Sequence, residues 1–327
     1  MRKDNQWYPT RVIAVADACD GVREILLDAG AHARPFTVGS HLDFRLRLDG
    51  REDTRSYSLV GEPRADGRYL IAVRAVPESR GGSRHMWTLA PGDVVEASAP
   101  SNNFALDERA SEILLVAGGI GVTPILGMAQ RLAQRHPAFR MLYVGRSRGA
   151  MAYLPLLRDT LGERLQVHCD DEAGAPDLGR EIATLSATAE VYVCGPLGML
   201  DAVRRHWQAA GRPRARLHFE TFGNSGSAPA RPFVVRLPGL GLEVPVAENE
   251  SMLDALQAAG VAMMADCRRG ECGLCQVEVL ESGDGLDHRD VFLSDEQHRE
   301  NRKLCACVSR ALGGSISIDT GYRADAL

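Results

Sequence analysis

The sequence predicts a multidomain chain in three blocks. An antiparallel β-barrel or sandwich runs over 1–108, a parallel-sheet α/β domain over 109–222, and an α+β domain over 233–327, after a linker at 223–232. Three observations carry this division. Short strand-like runs broken by Gly, Pro and Asp fill the first block. Strands alternate with helical segments in the second. In the third, three cysteines stand within nine residues, CRRGECGLC at 267–275.

The first block offers strand-like runs at 11–16, 24–27, 41–48, 56–60, 68–75 and 93–97, and no long amphipathic helix. At 113–117, ILLVA reads as a buried strand leading into GGIGVTP (118–124). A helix follows with Ile125, Met128, Ala129 and Leu132 on one face, Thr123 as its expected N-cap and Pro124 as N1. Strands at 141–145, 165–169 and 191–195, with helices at 154–161 and around 200–207, continue the alternation. GNSGSAPARP (223–232) lacks periodicity and reads as a linker. Beyond it come strands at 233–237 and 242–246, a helix from 251 to 259, and strands at 276–280 and 315–319.

At 327 residues, with 45% hydrophobic and 25% charged residues, the composition is that of a soluble globular protein. A net charge of −5 gives no electrostatic reason to expect nucleic acid. MRKDNQWYPTR at the N-terminus has no apolar core of a signal peptide, and the longest apolar runs are too short to span a bilayer. The expectation is a cytoplasmic enzyme without membrane association. In a reducing compartment, clustered cysteines point to metal or redox chemistry rather than disulfides.

CRRGECGLC has the C-x4-C-x2-C spacing of plant-type [2Fe-2S] ferredoxins, whose fourth ligand lies far along the chain. Gly270 and Gly273 would let the backbone wrap closely, and Arg268 and Arg269 would offset cluster charge. A four-cysteine zinc site is the competing reading, but zinc cysteines usually come as two paired knuckles rather than three on one loop. GGIGVTP sits between strand and helix, where main-chain N–H groups and the helix dipole favour phosphate. It lacks the full GxGxxG fingerprint, so VCGP (193–196), at the end of a later strand, strengthens the case for a nucleotide. In the first block, Tyr57 of RSYSL (55–59) could lie flat on an aromatic cofactor. Gly81, Gly82 and Ser83 of RGGS suit a phosphate; a plain strand and turn explain these two motifs equally well. The nine histidines show no metal-binding spacing and read as scattered surface residues. Cys19 and Cys169 read as buried thiols. Glu278, Glu281, Asp284 and Asp287 read as a solvated face or a docking surface.

Taken in order, RSYSL, RGGS, GGIGVTP, CGP, HFETFG, CRRGECGLC, DHRD and CVSR make the chain resemble the phthalate dioxygenase reductase family over nearly its whole length. The resemblance implies a flavin barrel, an NAD domain and a C-terminal plant-type ferredoxin domain of the β-grasp kind. Arg55, Tyr57 and Ser58, with backbone from Ala72, Val73 and Arg74, would hold the isoalloxazine of FMN, and Gly81, Gly82 and Ser83 its phosphate. FMN is expected over FAD because RGGS is a compact clamp and no segment suits an adenosine half. Gly119, Gly121, Thr123 and Pro124 would contact pyrophosphate and nicotinamide. Cys194, Gly195 and Pro196 would flank the ring, and Phe222 would stand against the flavin. Ser58, Thr123 and Cys194 are the residues expected beside the reacting atoms. NADH is the expected donor, although Arg146 and Arg148 together could recognise the 2′-phosphate of NADPH.

The resemblance also selects the fourth cluster ligand. Counting back from the last strand gives Cys307, at the start of CVSR. The usual ferredoxin gap from the third cysteine gives Cys305 instead. Cys307 is preferred, because the loop between 281 and 304 can vary in length while the final turn cannot. Cysteines 267, 272, 275 and 307 are therefore the expected set. The implied function is a monomeric reductase that takes electron pairs from NADH and passes them singly through FMN and the cluster to a separate Rieske-type oxygenase. A cytochrome P450 is the alternative acceptor, and a zinc-binding or redox-sensing module without turnover is the competing class.

Overall fold

The structure is a computed structural model describing residues 6–48, 50–76, 81–136, 138–222, 230–248 and 250–321. Arg80, most of the expected linker (223–229) and the C-terminal six residues lie outside the described residues. The chain divides into two compact units, Asn5–Glu220 and Thr221–Leu327.

The first unit opens with β1 (Tyr8–Cys19), β2 (Val22–Asp28), β3 (His41–Leu48), β4 (Arg51–Ser58), β5 (Tyr69–Arg74) and β6 (Val94–Ala97). They form one antiparallel sheet in the order β4-β3-β6-β1-β2-β5. Its two outer strands meet where Leu59 bridges Ile71 and Val60 N–H donates to the Leu70 carbonyl at 2.8 Å, which closes the sheet into a barrel. Ile25, Leu27, Leu42, Phe44 and Ile71 fill the interior. Full burial of such side chains contributes about 1.5–3 kcal/mol each. A short helix that the strand pattern did not signal, α1 (Gly82–Thr88), lies against the barrel. Trp87 holds it there: its indole N–H donates to the Val73 carbonyl at 3.0 Å, and Arg23 stacks 4.5 Å over its ring.

The rest of this unit runs β7 (Ile113–Gly118), α2 (Val122–Arg135), β8 (Phe139–Gly145), α3 (Leu154–Leu161), β9 (Leu165–Cys169), α4 (Asp170–Ala173), α5 (Leu178–Ala183), β10 (Glu190–Cys194), α6 (Leu197–Ala209) and β11 (Leu217–Glu220). All five strands are parallel, in the order β11-β10-β7-β8-β9. The order reverses between β7 and β10, which is where ligands bind in open α/β sheets. Ile125, Met128, Ala129 and Leu132 of α2 are fully buried, as the periodicity predicts. The expected cap is corrected: Gly121 caps α2 and Thr123 lies inside it. A 3-10 turn over Gly119–Gly121 runs straight into the helix, and the Thr123 hydroxyl donates back to the Ile120 carbonyl at 3.0 Å. Barrel residues Val38, Val60 and Phe104 share one apolar core with α2. At this seam Gly127 lies so close to Gly61 that a Cβ would sit 2.4 Å from its carbonyl oxygen.

The second unit contains β12 (Phe233–Leu237), β13 (Leu242–Val246), α7 (Met252–Ala258), β14 (Gln276–Ser282), β15 (Leu286–Asp287), α8 (Asp295–Glu300), β16 (Lys303–Cys305), β17 (Arg310–Ala311) and β18 (Ser315–Asp319). The main sheet is ordered β13-β12-β18-β14-β16, with a parallel β12–β18 pair among antiparallel neighbours. Ser251 caps α7 by accepting from Asp254 N–H at 3.1 Å, and Met252, Leu253 and Leu256 point into the core with Val235, Leu304 and Ile316. This is the α+β fold expected for a ferredoxin domain.

Candidate functional site

In the second unit, the loop from Cys267 to Cys275 runs between α7 and β14. Main-chain N–H groups of Arg269, Glu271 and Cys272 each lie 3.4 Å from the Cys267 sulfur. This wrapping requires left-handed backbone at Gly270 (φ 76) and Gly273 (φ 74). A Cβ on Gly270 would meet Asp290 Cα at 2.8 Å, and one on Gly273 would meet the Phe292 ring at 2.4 Å.

The Cys275, Cys305 and Cys307 sulfurs converge. Hydrogen bonds from the Cys305 and Cys307 thiols pull the Cys275 thiol down to about 4. The same bonding, with burial, pushes Cys305 and Cys307 up. Cys305 belongs to β16, opposite Gln276. Cys307 lies past the strand end, accepts a hydrogen bond from Gly270 N–H and feels the charge of Cys267. The all-sulfur donor set and the N–H groups aimed at it are what a [2Fe-2S] cluster asks of its site.

Neither arginine of the loop is an uncompensated charge. Arg268 pairs with Asp254 at 2.5 Å, and Arg269 lies 3.6 Å from Glu271. Glu271 also accepts Thr221 N–H at 2.6 Å, and the Thr221 hydroxyl lies 2.9 Å from the same oxygen. Asp287, expected on a solvated face, is buried against Arg289 at 2.7 Å; Glu278, Glu281 and Asp284 are exposed. Cys19 is only half-buried, while Cys169 is buried.

In the first unit, Arg55 pairs with Asp53 and donates to the Thr54 carbonyl at 2.9 Å. Gly82 packs on its stem, where a Cβ would sit 2.6 Å from Arg55 Nε. Gly81 (φ 88) starts α1, and the Ser83 hydroxyl is buried with no protein partner. Such a polar atom fits the phosphate of a flavin, whose oxygens would satisfy it. Tyr57 meets Phe44 edge-on with ring centroids 5.7 Å apart, and burial pushes its hydroxyl up to about 12. Ala72 and Val73 are buried while Arg74 is exposed. Phe222 belongs to the other unit and is 41% exposed.

The loops after β7 and β10 interlock at the switch point. A Cβ on Gly121 would lie 2.1 Å from the Cys194 carbonyl oxygen, and one on Gly118 would lie 2.7 Å from Pro196 Cδ. One on Gly195 would lie 2.4 Å from Met199 Cε. Gly119 (φ 53) instead faces open space, which leaves room for a ligand at the turn. Thr123, Pro124 and Cys194 are buried behind it. Arg146 is exposed, and Arg148 is gripped by both oxygens of Glu172 at 2.7 and 2.8 Å.

Sequence reasoning missed two residues here. Glu220, at the end of β11, is buried and accepts a hydrogen bond from Ser58 at 3.0 Å. Its motif, HFETFG, drew attention only to Phe222. Glu172 lies 24 residues from Arg148, and no local pattern announced the pair.

Comparison with known proteins follows the same division. Residues 15–106 match the family described as oxidoreductase FAD-binding domain, and 235–312 the 2Fe-2S iron-sulfur cluster binding domain. Residues 96–217 match the N-terminal domain of dimethylamine monooxygenase subunit DmmA-like proteins. The chain is 40% identical over 318 residues to phenoxybenzoate dioxygenase subunit beta of Ectopseudomonas oleovorans, covering 94% of this chain and 96% of the relative. It is 38% identical over 311 residues to the heme-dependent oxidative N-demethylase beta subunit of Ectopseudomonas mendocina (94% and 97%). It is 36% identical over 300 residues to phthalate dioxygenase reductase of Burkholderia cepacia (89% of each). Among solved structures, phthalate dioxygenase reductase superposes with a TM-score of 0.78 at 31% identity, covering 97% of this chain and 99% of that one. An intact type IV self-sufficient cytochrome P450 monooxygenase matches with a TM-score of 0.67 at 33% identity, covering 95% of this chain and 41% of that one.

Proposed function

The chain belongs to the phthalate dioxygenase reductase family, and from that premise we propose that it carries electrons from NADH through FMN and a [2Fe-2S] cluster to a separate Rieske-type non-haem iron oxygenase. It is a flavin- and iron–sulfur-dependent oxidoreductase of the kind that serves as the reductase component of oxygenase systems. The observation that carries the finer reading is the hydrogen bond from Ser58, in the barrel, to Glu220, at the carboxyl end of the parallel sheet. It supports the reading because Glu220 also pairs in register with Cys194, so one residue neighbours both the expected flavin residue Ser58 and the expected nicotinamide residue Cys194 within one compact unit.

Bound flavin and cluster supply the conversion of an electron pair into single electrons, and the chain's task is to position them. In this reading Arg55 and Tyr57 bound the flavin ring, with main chain of Ala72–Arg74 along it, and Gly81, Gly82 and Ser83 take the FMN phosphate. Gly119, Gly121, Thr123 and Pro124 seat the dinucleotide, while Cys194, Gly195 and Pro196 hold the nicotinamide edge close enough for direct transfer. Ser58 orients at the reacting edge and Glu220 fixes its hydroxyl. Phe222 is assigned to the flavin face. Cys267, Cys272, Cys275 and Cys307 hold the cluster. Cys307 is favoured over Cys305 because it lies past the strand end, bonded to the loop at Gly270.

NADH is favoured because Glu172 occupies Arg148 and would repel a 2′-phosphate; Arg146 is assigned to the ribose side. The three-part division at 108, 222 and 232, cytoplasmic location and a monomeric state belong to the same reading. Among the described residues no helix is long and apolar enough to cross a membrane. A haem acceptor is the second reading, favoured by the likeness to the N-demethylase subunit and to the P450 monooxygenase. Reconstitution decides: NADH-driven turnover with a Rieske oxygenase supports the first, and turnover only with a haem protein overturns it. Identifying the released flavin separates FMN from FAD.

A further inference from the structure

Ten residues apart and read from sequence as surface residues, His288 and His298 in fact stack, with ring centroids 4.4 Å apart and planes at 23°. Both turn a nitrogen toward the carboxylate of Asp290. His298 Nε2 lies 3.2 Å from one oxygen, and His288 Nδ1 lies 3.8 Å from the other. The other nitrogen of His288, Nε2, lies 3.0 Å from the side-chain oxygen of Asn301. An amide oxygen only accepts, so Nε2 carries a proton and, in the neutral ring, Nδ1 presents a lone pair. That Nδ1 is buried and has no hydrogen-bond partner. The side chain of Asp290 is fully buried, and it accepts hydrogen bonds from the Leu293 N–H, the Ser309 hydroxyl and His298. A lone pair facing a buried carboxylate calls for a cation between them.

We propose that His288 Nδ1, Asp290 and His298 Nε2 form a binding site for a divalent transition-metal ion of the zinc class, distinct from the cysteine centre. Two imidazoles and one carboxylate are a familiar zinc donor set, with a fourth position left for water. Their ligating atoms all lie within 4.8 Å of one another. Tetrahedral zinc spaces its nitrogen and oxygen ligands about 3.3 Å apart. The Asp290–His298 pair stands at 3.2 Å already, and the His288 ring needs only a small inward shift. A supporting shell is in place. Asn301 orients His288, and the Ser309 hydroxyl (3.1 Å) and Leu293 N–H (2.9 Å) orient Asp290. The ion would be structural. Ser309 lies two residues beyond Cys307, and Val291 N–H donates to the Gly270 carbonyl at 3.0 Å. It would therefore brace both chain segments that meet around the cysteines.

The test uses the holoprotein, dialysed against micromolar zinc and then metal-free buffer, with zinc, iron and flavin assayed together. The wild type is expected to retain about one more zinc per flavin than His298→Ala, at an unchanged iron-to-flavin ratio. His298 is on α8 and partly exposed, so its removal leaves the fold standing. Asn301→Gly keeps the left-handed backbone (φ 53) and removes the supporting oxygen; it should weaken zinc binding by about 10–100-fold. Equal zinc in wild type and His298→Ala would overturn the proposal and leave the two imidazoles holding only a proton.

Discussion

Ser58 donates its hydroxyl to the carboxylate of Glu220 across 3.0 Å, linking the fourth barrel strand to the last strand of the parallel sheet in a buried setting. Such a hydrogen bond contributes about 0.5–1.5 kcal/mol when the carboxyl is neutral and about 1.5–3 kcal/mol when it is charged. Ser58→Ala should slow flavin reduction by NADH about tenfold, close to 1.4 kcal/mol of barrel-to-sheet positioning. Stopped-flow bleaching of the flavin measures the rate, and thermal unfolding should show a smaller loss of stability.

A Cβ on Gly82 would lie 2.6 Å from Arg55 Nε and 2.9 Å from its Cδ and Cγ. A methyl group there must push aside a guanidinium already held by Asp53 and Thr54. Gly82→Ala should therefore weaken flavin binding by at least about tenfold, or 1.4 kcal/mol. Fluorescence titration of the flavin-stripped protein reads this directly, and tight binding would remove Arg55 from the flavin site.

Gly273 combines left-handed backbone with a Phe292 ring 2.4 Å from its missing Cβ. Gly273→Ala should cost about 1–2 kcal/mol in backbone strain and a further 1–3 kcal/mol in overpacking. Iron content and visible absorption of the purified variant should fall while its flavin stays bound.

Cys307→Ser should abolish the iron–sulfur absorption with flavin retained, and Cys305→Ser should leave both. The reverse result would move the ligand into β16.

Glu172 occupies Arg148, one of the two arginines that could recognise a 2′-phosphate. Glu172→Gln should raise kcat/KM with NADPH by about tenfold and leave that with NADH nearly unchanged, as steady-state kinetics would show.

Regular elements were legible where their periodicity was strong. The burial alternation of β3 and the apolar face of α2 are visible from residue type alone. Helix α8 was missed although Ser294 and Gln297 form a full capping box at its start, because the segment has no apolar face to attract notice. The start of α2 was misplaced by local reasoning: a Thr-Pro pair suits a cap, but the preceding glycines had already turned the chain. At the site, motif residues were readable and their partners were not. Glu220 is 162 residues from Ser58, and His288 meets His298 only after the intervening loop has folded back. Pairings of this kind depend on tertiary closure, which composition and spacing do not encode.

The barrel closes through a single bridge, Leu59 to Ile71, immediately after the Tyr57–Ser58 pair. A seam that narrow is where a ladder opens first, so occupancy of the flavin site proposed at the adjoining Tyr57 and Ser58 and closure of the sheet would be thermodynamically linked. Loss of the prosthetic group should register as faster amide hydrogen exchange at Val60, whose N–H spans that seam, before any change in the opposite wall.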